Sequence, residues 1–97
     1  MTAKLRDNSP LWVEPMYWLV KESAFARCVR NELASAKAKH APINSLHEGY
    51  AIILEEVDEL WEEARKRKEK RSSAQILSEL VQIAAMCQRT AEDLGLA

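Results

Sequence analysis

Residues that form turns are scarce in this chain, and this scarcity constrains its fold more than any other feature. Only two glycines and three prolines occur among the 97 residues, and Pro10 and Pro15 both precede residue 16. A fold of many β-strands needs turn residues between its strands, so the composition argues against one. Ala, Leu, Glu, Lys and Arg dominate instead, as helices prefer. The sequence therefore predicts a single all-α domain.

The charge balance bears on which partners the chain can have. The formal net charge is -1, so no overall basic field draws the chain onto nucleic acid. The longest apolar stretches are too short to span a bilayer, and residues 1–10 lack the apolar core of a signal peptide. We therefore expect a cytoplasmic protein with neither a membrane nor a nucleic-acid partner. Cys28 and Cys87 lack zinc-site spacing, and we expect both to be reduced, half-buried packing residues.

The first half of the chain predicts an arm and one long helix. Residues 1–14 are polar and interrupted by Pro10, which is typical of an arm, and a single helical domain is expected over 15–97. Pro15 suits the first turn of a helix, where its missing N–H group costs nothing. Helix one is therefore predicted over about residues 16–39.

Capping patterns predict two more helices in the second half. The segment 45–48 fits a capping box, Ser followed three residues later by Glu, and helix two is predicted from there to about residue 70. The segment 72–75 is a second candidate box. Helix three is predicted over about residues 74–94, with Gly95 as its C-terminal stop.

Helices two and three each carry an apolar stripe with polar residues beside it. On a wheel of about 100° per residue, Glu56 and Glu59 lie about 100° and 160° to one side of the stripe on helix two. Glu79 and Gln82 have the same offsets on helix three. We predict that both stripes form the core. They comprise Tyr50, Ile53, Leu54, Val57, Leu60, Trp61 and Ala64 on helix two, and Ile76, Leu77, Leu80, Ile83, Ala84, Cys87, Ala91 and Leu94 on helix three.

The matching offsets favour a cation site between the two helices. Antiparallel helices pack about 8–10 Å apart, so long acidic side chains from both can meet. Their mutual repulsion requires a compensating charge, and Mg²⁺ is a hard ion that prefers oxygen ligands. The alternative is that these glutamates lie on a solvated face, as charge-rich helices commonly have. We expect such a solvated position for Glu55, Asp58, Glu62 and Glu63.

The segment 47–61 resembles the first signature helix of MazG-like all-α nucleoside triphosphate pyrophosphatases. The signature EExxE reads here as Glu55, Glu56 and Glu59. The second signature of the family, ExxD, corresponds to 79–82, and the intervening residues 60–78 fit the family spacing. The resemblance covers roughly residues 45–94, about half the chain. The pattern EExxE alone is not specific for this family, because it occurs in many helices. The two polar pairs, the length of their connector and the wheel geometry together are specific.

The resemblance implies a Mg²⁺-dependent hydrolase of nucleoside or deoxynucleoside triphosphates that releases a monophosphate and pyrophosphate, in nucleotide-pool housecleaning. It implies Glu56, Glu59 and Glu79 as metal ligands, and Glu55 as ligand of a further ion or as base for the attacking water. Gln82 stands where the family pattern has Asp. An amide keeps a carbonyl oxygen but loses the negative charge, which should weaken Mg²⁺ binding.

Three further residues are candidates for contact with a substrate. Lys66 belongs to the basic run 65–71, which could neutralise phosphates; the alternative is a solvated helix end with a favourable dipole interaction. His47 in the first turn of helix two could contact substrate, or it is simply exposed. Trp18 could stack on a base, although aromatic residues at helical spacing are more often core.

The breadth of the apolar arc on helix one predicts self-association. A hairpin of helices two and three cannot cover that arc, so we expect a homodimer or homotetramer whose helices complete a bundle. The rival hypotheses are a non-catalytic helical interaction protein and a nucleotide-sensing protein on the same scaffold.

Overall fold

Three α-helices make up the fold. A computed structural model describes residues 21–97, and within that range the chain is helical and contains no strand. Helix α1 spans Ala24–Lys39, α2 spans Leu46–Ala64 and α3 spans Ser73–Asp93, with a short 3₁₀ turn at Lys68–Lys70. The all-α prediction is confirmed for this range. The predicted arm over 1–14, the predicted helix start near Pro15 and the candidate Trp18 lie outside the described residues.

Helix α1 begins at an N-cap that the sequence reading missed. Ser23 has an extended backbone, and its Oγ accepts a hydrogen bond from the N–H of Ala26 at 3.0 Å. Lys21 and Glu22 precede the helix, so the prediction of one uninterrupted helix over 16–39 is wrong at its N-terminal side. Glu22 forms an ion pair with Arg30 at 3.0 Å and does not join an apolar surface.

Helix α3 is the centre of the fold, because it packs against both α1 and α2. Three residues of α1 at helical spacing, Val29, Leu33 and Ala36, are buried against α3. The α3 side of this core is Val81, Ala85 and Met86, and Ile52, Ile53 and Ala84 pack at its edge.

The loop between α1 and α2 is fastened to the C-terminal part of α3. Ile43 is only 2% exposed, and its N–H donates to Asp93 Oδ2 at 2.9 Å. The guanidinium of Arg89, itself buried, donates to the carbonyl of Ala41 at 2.8 Å. These bonds satisfy loop backbone groups that would otherwise be buried without partners.

Helix α2 ends at Ala64, six residues before the predicted end at Lys70. The guanidinium of Arg71 donates to the carbonyl of Ala64 at 2.7 Å, which satisfies one of the free carbonyls at the helix end. Glu63 is 3% exposed, so the expectation that it is solvated is wrong. Its carboxylate accepts from the N–H of Ser72 at 2.8 Å and from Lys66 Nζ at 2.9 Å. Glu63 thereby joins the end of α2 to the start of α3.

Helices α2 and α3 begin at the capping residues that the sequence predicts. The hydroxyl of Ser45 accepts from the N–H of Glu48 at 3.1 Å, and the Glu48 carboxylate reaches back to the N–H of Asn44. The hydroxyl of Ser72 accepts from the N–H of Gln75 at 3.1 Å. Gly95 follows α3 with φ at +71°, a conformation that favours glycine, so its predicted role as the stop is confirmed.

None of the fifteen residues of the predicted core stripes is fully buried, which corrects the sequence reading: eight are half-buried and seven are exposed. On α2, Tyr50 is 63% and Trp61 60% exposed, while the buried or half-buried residues lie to the other side, toward Glu56. We call the exposed set the outer apolar face; it consists of Tyr50, Leu54, Val57, Trp61, Leu77 and Leu80. Within residues 21–97, most of the exposed large apolar side chains therefore lie on α2 and α3. Cys28 and Cys87 are free but exposed, not half-buried. Within residues 21–97, no helix is long and apolar enough to cross a membrane.

Candidate metal centre

Three carboxylates from two helices meet at the interface between α2 and α3. Glu56 and Glu59 lie one turn apart on α2, and Glu79 lies on α3. One carboxylate oxygen from each lies within 4.8 Å of the other two. The spacing of three residues puts the α2 pair on one side of the helix, as the wheel predicted. The structure thus brings together three of the four residues predicted to bind metal.

A close approach of the two helices permits this meeting. Gly49 on α2 is buried, and a Cβ built there would lie 2.5 Å from Cγ2 of Thr90 on α3. Thr90 is itself buried and donates its hydroxyl to the carbonyl of Met86 at 2.8 Å, so it has little freedom to move. Glycine at 49 therefore lets α2 pack tightly on α3, about two turns before Glu56 and about three turns before Glu59.

Glu79 is the most enclosed member of the cluster, at 6% exposed. Its Oε1 accepts a hydrogen bond from the side-chain amide of Gln75, one turn earlier on α3. Its Oε2 is buried and has no hydrogen-bond donor among the described residues. A buried carboxylate oxygen without a donor is costly, and a cation at this position would remove the cost.

The carboxylates shift one another's protonation. Burial, followed by the neighbouring charge of Glu59, raises the pKa of Glu56 to about 7. A hydrogen bond to the Glu79 carboxyl raises the pKa of Glu59, and burial and the Glu79 charge add to the effect. A bond between two carboxyl groups requires a proton, which a divalent cation would replace. At neutral pH the three carboxylates therefore lack a positive charge that would compensate their repulsion.

A cleft of about 490 Å³ adjoins the cluster on the side of α1. Its walls include Glu55 and Glu56 from α2 and Gln82 from α3, while Glu32 and Lys39 come from α1, and Ile52 and Met86 supply apolar surface. We call this the α1 cleft. Gln82 therefore lines the same cleft as Glu56. Glu55 is exposed, as expected.

A second groove, of about 400 Å³, also adjoins the cluster. We call it the connector groove; its walls include Glu59, Glu63, Lys66, Ser72, Gln75 and Glu79. Lys66 is thus near the cluster, as a substrate contact requires, but its ammonium is already paired with Glu63. His47 is exposed in the first turn of α2 and lies outside both the α1 cleft and the connector groove.

Several residues around the cluster were not found from the sequence. Gln75 was considered only as part of a capping box, although its spacing of four from Glu79 is a recognisable signal for a side-chain hydrogen bond. The bonds from Glu63 to the N–H of Ser72 and from Arg89 to the carbonyl of Ala41 gave no such signal, because these partners are backbone groups far along the chain.

Comparison of the chain with family models, with curated proteins and with solved structures finds no match. The resemblance to MazG-like pyrophosphatases therefore depends on the motif residues and their geometry.

Proposed function

We propose that this protein is a Mg²⁺-dependent hydrolase that converts nucleoside or deoxynucleoside triphosphates to the monophosphate and pyrophosphate, in the manner of the MazG-like family that it resembles. The observation that carries the proposal is the meeting of Glu56, Glu59 and Glu79 within 4.8 Å, with an oxygen of Glu79 buried and without a donor. An all-oxygen donor set on two rigid helices suits a hard cation such as Mg²⁺.

The two depressions beside the cluster support a substrate of nucleotide size. The α1 cleft has about 490 Å³ and mixes apolar with polar walls, as pockets for small molecules usually do. The connector groove contributes the ammonium of Lys66. We therefore propose that the nucleoside occupies the α1 cleft and that the outer phosphates reach Lys66 in the connector groove.

The acidic residues divide between two roles in the proposed reaction, binding the cation and activating water. Glu56, Glu59 and Glu79 would hold the cation, which when bound offsets the charge of the phosphates. Glu55 is exposed at the wall of the α1 cleft, where it can orient a water molecule and accept its proton during attack on phosphorus. Lys66 would bind the leaving pyrophosphate once its ion pair with Glu63 opens.

Gln82 is the residue on which an alternative function depends. Gln82 lines the same cleft as Glu56, and we propose that its carbonyl oxygen serves as a neutral ligand, whereas the family pattern places a carboxylate there. The alternative is a catalytically weakened protein on the same scaffold that senses nucleotides or binds a protein partner.

A panel of ribo- and deoxyribonucleoside triphosphates, assayed for pyrophosphate release with Mg²⁺, separates these functions. The enzyme releases pyrophosphate from at least one of them, and a chelator stops the release. A sensor binds a triphosphate in a Mg²⁺-dependent manner without releasing pyrophosphate. An interaction protein does neither, and that outcome would remove the proposed activity.

We further propose that two copies associate through the outer apolar face to complete a bundle, as a homodimer or as a homotetramer of two such pairs. Single chains rarely leave aromatic residues such as Tyr50 and Trp61 more than half exposed on one face. Sedimentation at micromolar concentration should give at least a dimer. Trp61→Glu, which places a charge in that face, should shift the protein toward the monomer, whereas Asp58→Asn on the same helix should not. A parent that sediments as an 11.1 kDa monomer would contradict the proposal.

A further inference from the structure

The side chain of Gln75 donates a hydrogen bond to the buried carboxylate of Glu79. Its Nε2 bonds Oε1 of Glu79 across one turn of α3. A carboxylate only accepts hydrogen bonds, so the amide must present its nitrogen there. The other oxygen of Glu79, Oε2, stays buried and without a donor. Oε1 of Glu79 is therefore held by a hydrogen bond, whereas Oε2 remains available to bind a cation.

The Gln75 amide carries no charge, and this affects whether Glu79 can bind a cation. A lysine or arginine at position 75 would neutralise Glu79 and remove the need for a cation. The amide of Gln75 instead fixes the rotamer and leaves the full negative charge of Glu79 in place. Metal ligands are commonly oriented in this way by a hydrogen bond from a neighbouring residue.

We propose that Gln75 is a positioning residue of the candidate metal centre, holding Oε1 of Glu79 so that Oε2 is preorganised to bind the cation. The inference rests on the proposed function, because it assumes that Glu79 is a ligand. Holding the long side chain in one rotamer before binding reduces the entropy lost when the cation binds.

The same helix provides a matched control. Gln88 also donates from Nε2 to a glutamate four residues later, with 2.9 Å between Nε2 and Oε2 of Glu92. Glu92 is exposed and does not belong to the acidic cluster. Both glutamines are exposed, and Met keeps the unbranched shape of Gln without its donor. The backbone N–H of Gln75 still bonds Ser72 in the variant, so the cap of α3 is kept.

The experiment is a calorimetric titration with Mg²⁺, and with Mn²⁺ as a second probe, of the parent, Gln75→Met and Gln88→Met. We expect Gln75→Met to weaken cation binding by about 10- to 100-fold, as loss of an orienting partner usually does. Gln88→Met should bind the cation as the parent does. Without metal, Gln75→Met should unfold at a lower temperature than Gln88→Met, because the buried carboxylate of Glu79 loses its donor whereas Glu92 is exposed.

Gln75→Lys adds a readout that a purely structural role would not give. An ammonium beside Glu79 should raise the midpoint of thermal unfolding without metal and at the same time abolish cation binding. If the parent binds the cation and Gln75→Met binds it equally well, the positioning role is wrong while the proposed function stands. If the parent binds neither Mg²⁺ nor Mn²⁺, the proposed function fails, and the role of Gln75 fails with it.

Discussion

Gly49 and Thr90 are in such close contact that no side chain fits between α2 and α3 at this point. A Cβ on Gly49 would lie 2.5 Å from Cγ2 and 2.9 Å from Oγ1 of Thr90. The register of the two helices at this crossing determines which residues face each other farther along. The meeting of Glu56 and Glu59 with Glu79 therefore depends on a glycine that, in an isolated helix, would be unfavourable.

The first prediction concerns this contact. Gly49→Ala should destabilise the protein by about 1–3 kcal/mol through overpacking, which exceeds the gain of about 1 kcal/mol in helix propensity. The measurement is the free energy of unfolding in urea. In a Thr90→Ala background, where the nearest two atoms are gone, Gly49→Ala should be neutral or stabilising. An increase in stability in the parent background would contradict the close packing.

The second prediction concerns the bonds of Glu63 at the connector. The N–H of Ser72 and the ammonium of Lys66 lower the pKa of Glu63 below its ordinary value of 4.5. Its stabilisation is therefore present above pH 4.5 and is lost as the pH falls through the lower pKa of the folded state. Glu63→Gln should melt well below the parent at pH 7, and the difference should shrink toward pH 3. Glu62→Gln, at an exposed position, should match the parent throughout.

The third prediction concerns the protonation of Glu56. Its pKa in the folded protein is about 7, above the ordinary 4.5, so the folded state binds more protons between these values. The resulting stabilisation is complete below pH 4.5 and is lost as the pH rises through about 7. Without metal, Glu56→Gln should equal the parent near pH 4 and be more stable than the parent at pH 8. If urea unfolding shows the parent to be the more stable at pH 8, burial and the neighbouring charge of Glu59 do not raise this pKa.

The fourth prediction concerns Gln82. An aspartate there adds a charge next to the proposed cation, which should tighten Mg²⁺ binding by roughly 10-fold at the effective dielectric of a protein surface. Turnover of triphosphates should rise with it. Gln88→Asp makes the same change of charge farther along α3 and should leave Mg²⁺ affinity unchanged. Equal effects of the two substitutions would mean that position 82 is not beside the cation.

The pairing of Glu56 with Glu59 could be predicted from the sequence because it depends on local helix geometry. Two residues three apart on a helix are neighbours whatever surrounds them, and the capping residues Ser45 and Ser72 fix where α2 and α3 begin. Gly95 likewise marks the end of α3 through its own conformation.

The buried side of α2 could not be predicted in the same way. A helical wheel takes the most apolar arc as the interior, whereas α2 turns an adjacent arc, toward Glu56, onto α3. Tyr50 and Trp61 are left outside, where a second copy of the chain would bury them under the proposed association. The end of α2 at Ala64 was missed because Lys, Arg and Glu are good helix formers, and only tertiary bonds to Arg71 and Ser72 show where the chain turns.

Pyrophosphate release by the parent, Glu79→Gln and Asp58→Asn, with Mg²⁺ and the preferred triphosphate, tests the central claim most directly. Glu79→Gln keeps the shape of the side chain but removes the charge at the most buried position of the cluster. A bound cation contributes several kcal/mol to stabilising the transition state, so we expect turnover to fall by about 100-fold or more while the helical circular dichroism spectrum is unchanged. Asp58→Asn, on the exposed side of α2, should keep the parent rate. A Glu79→Gln variant that hydrolyses the triphosphate as fast as the parent would contradict the account.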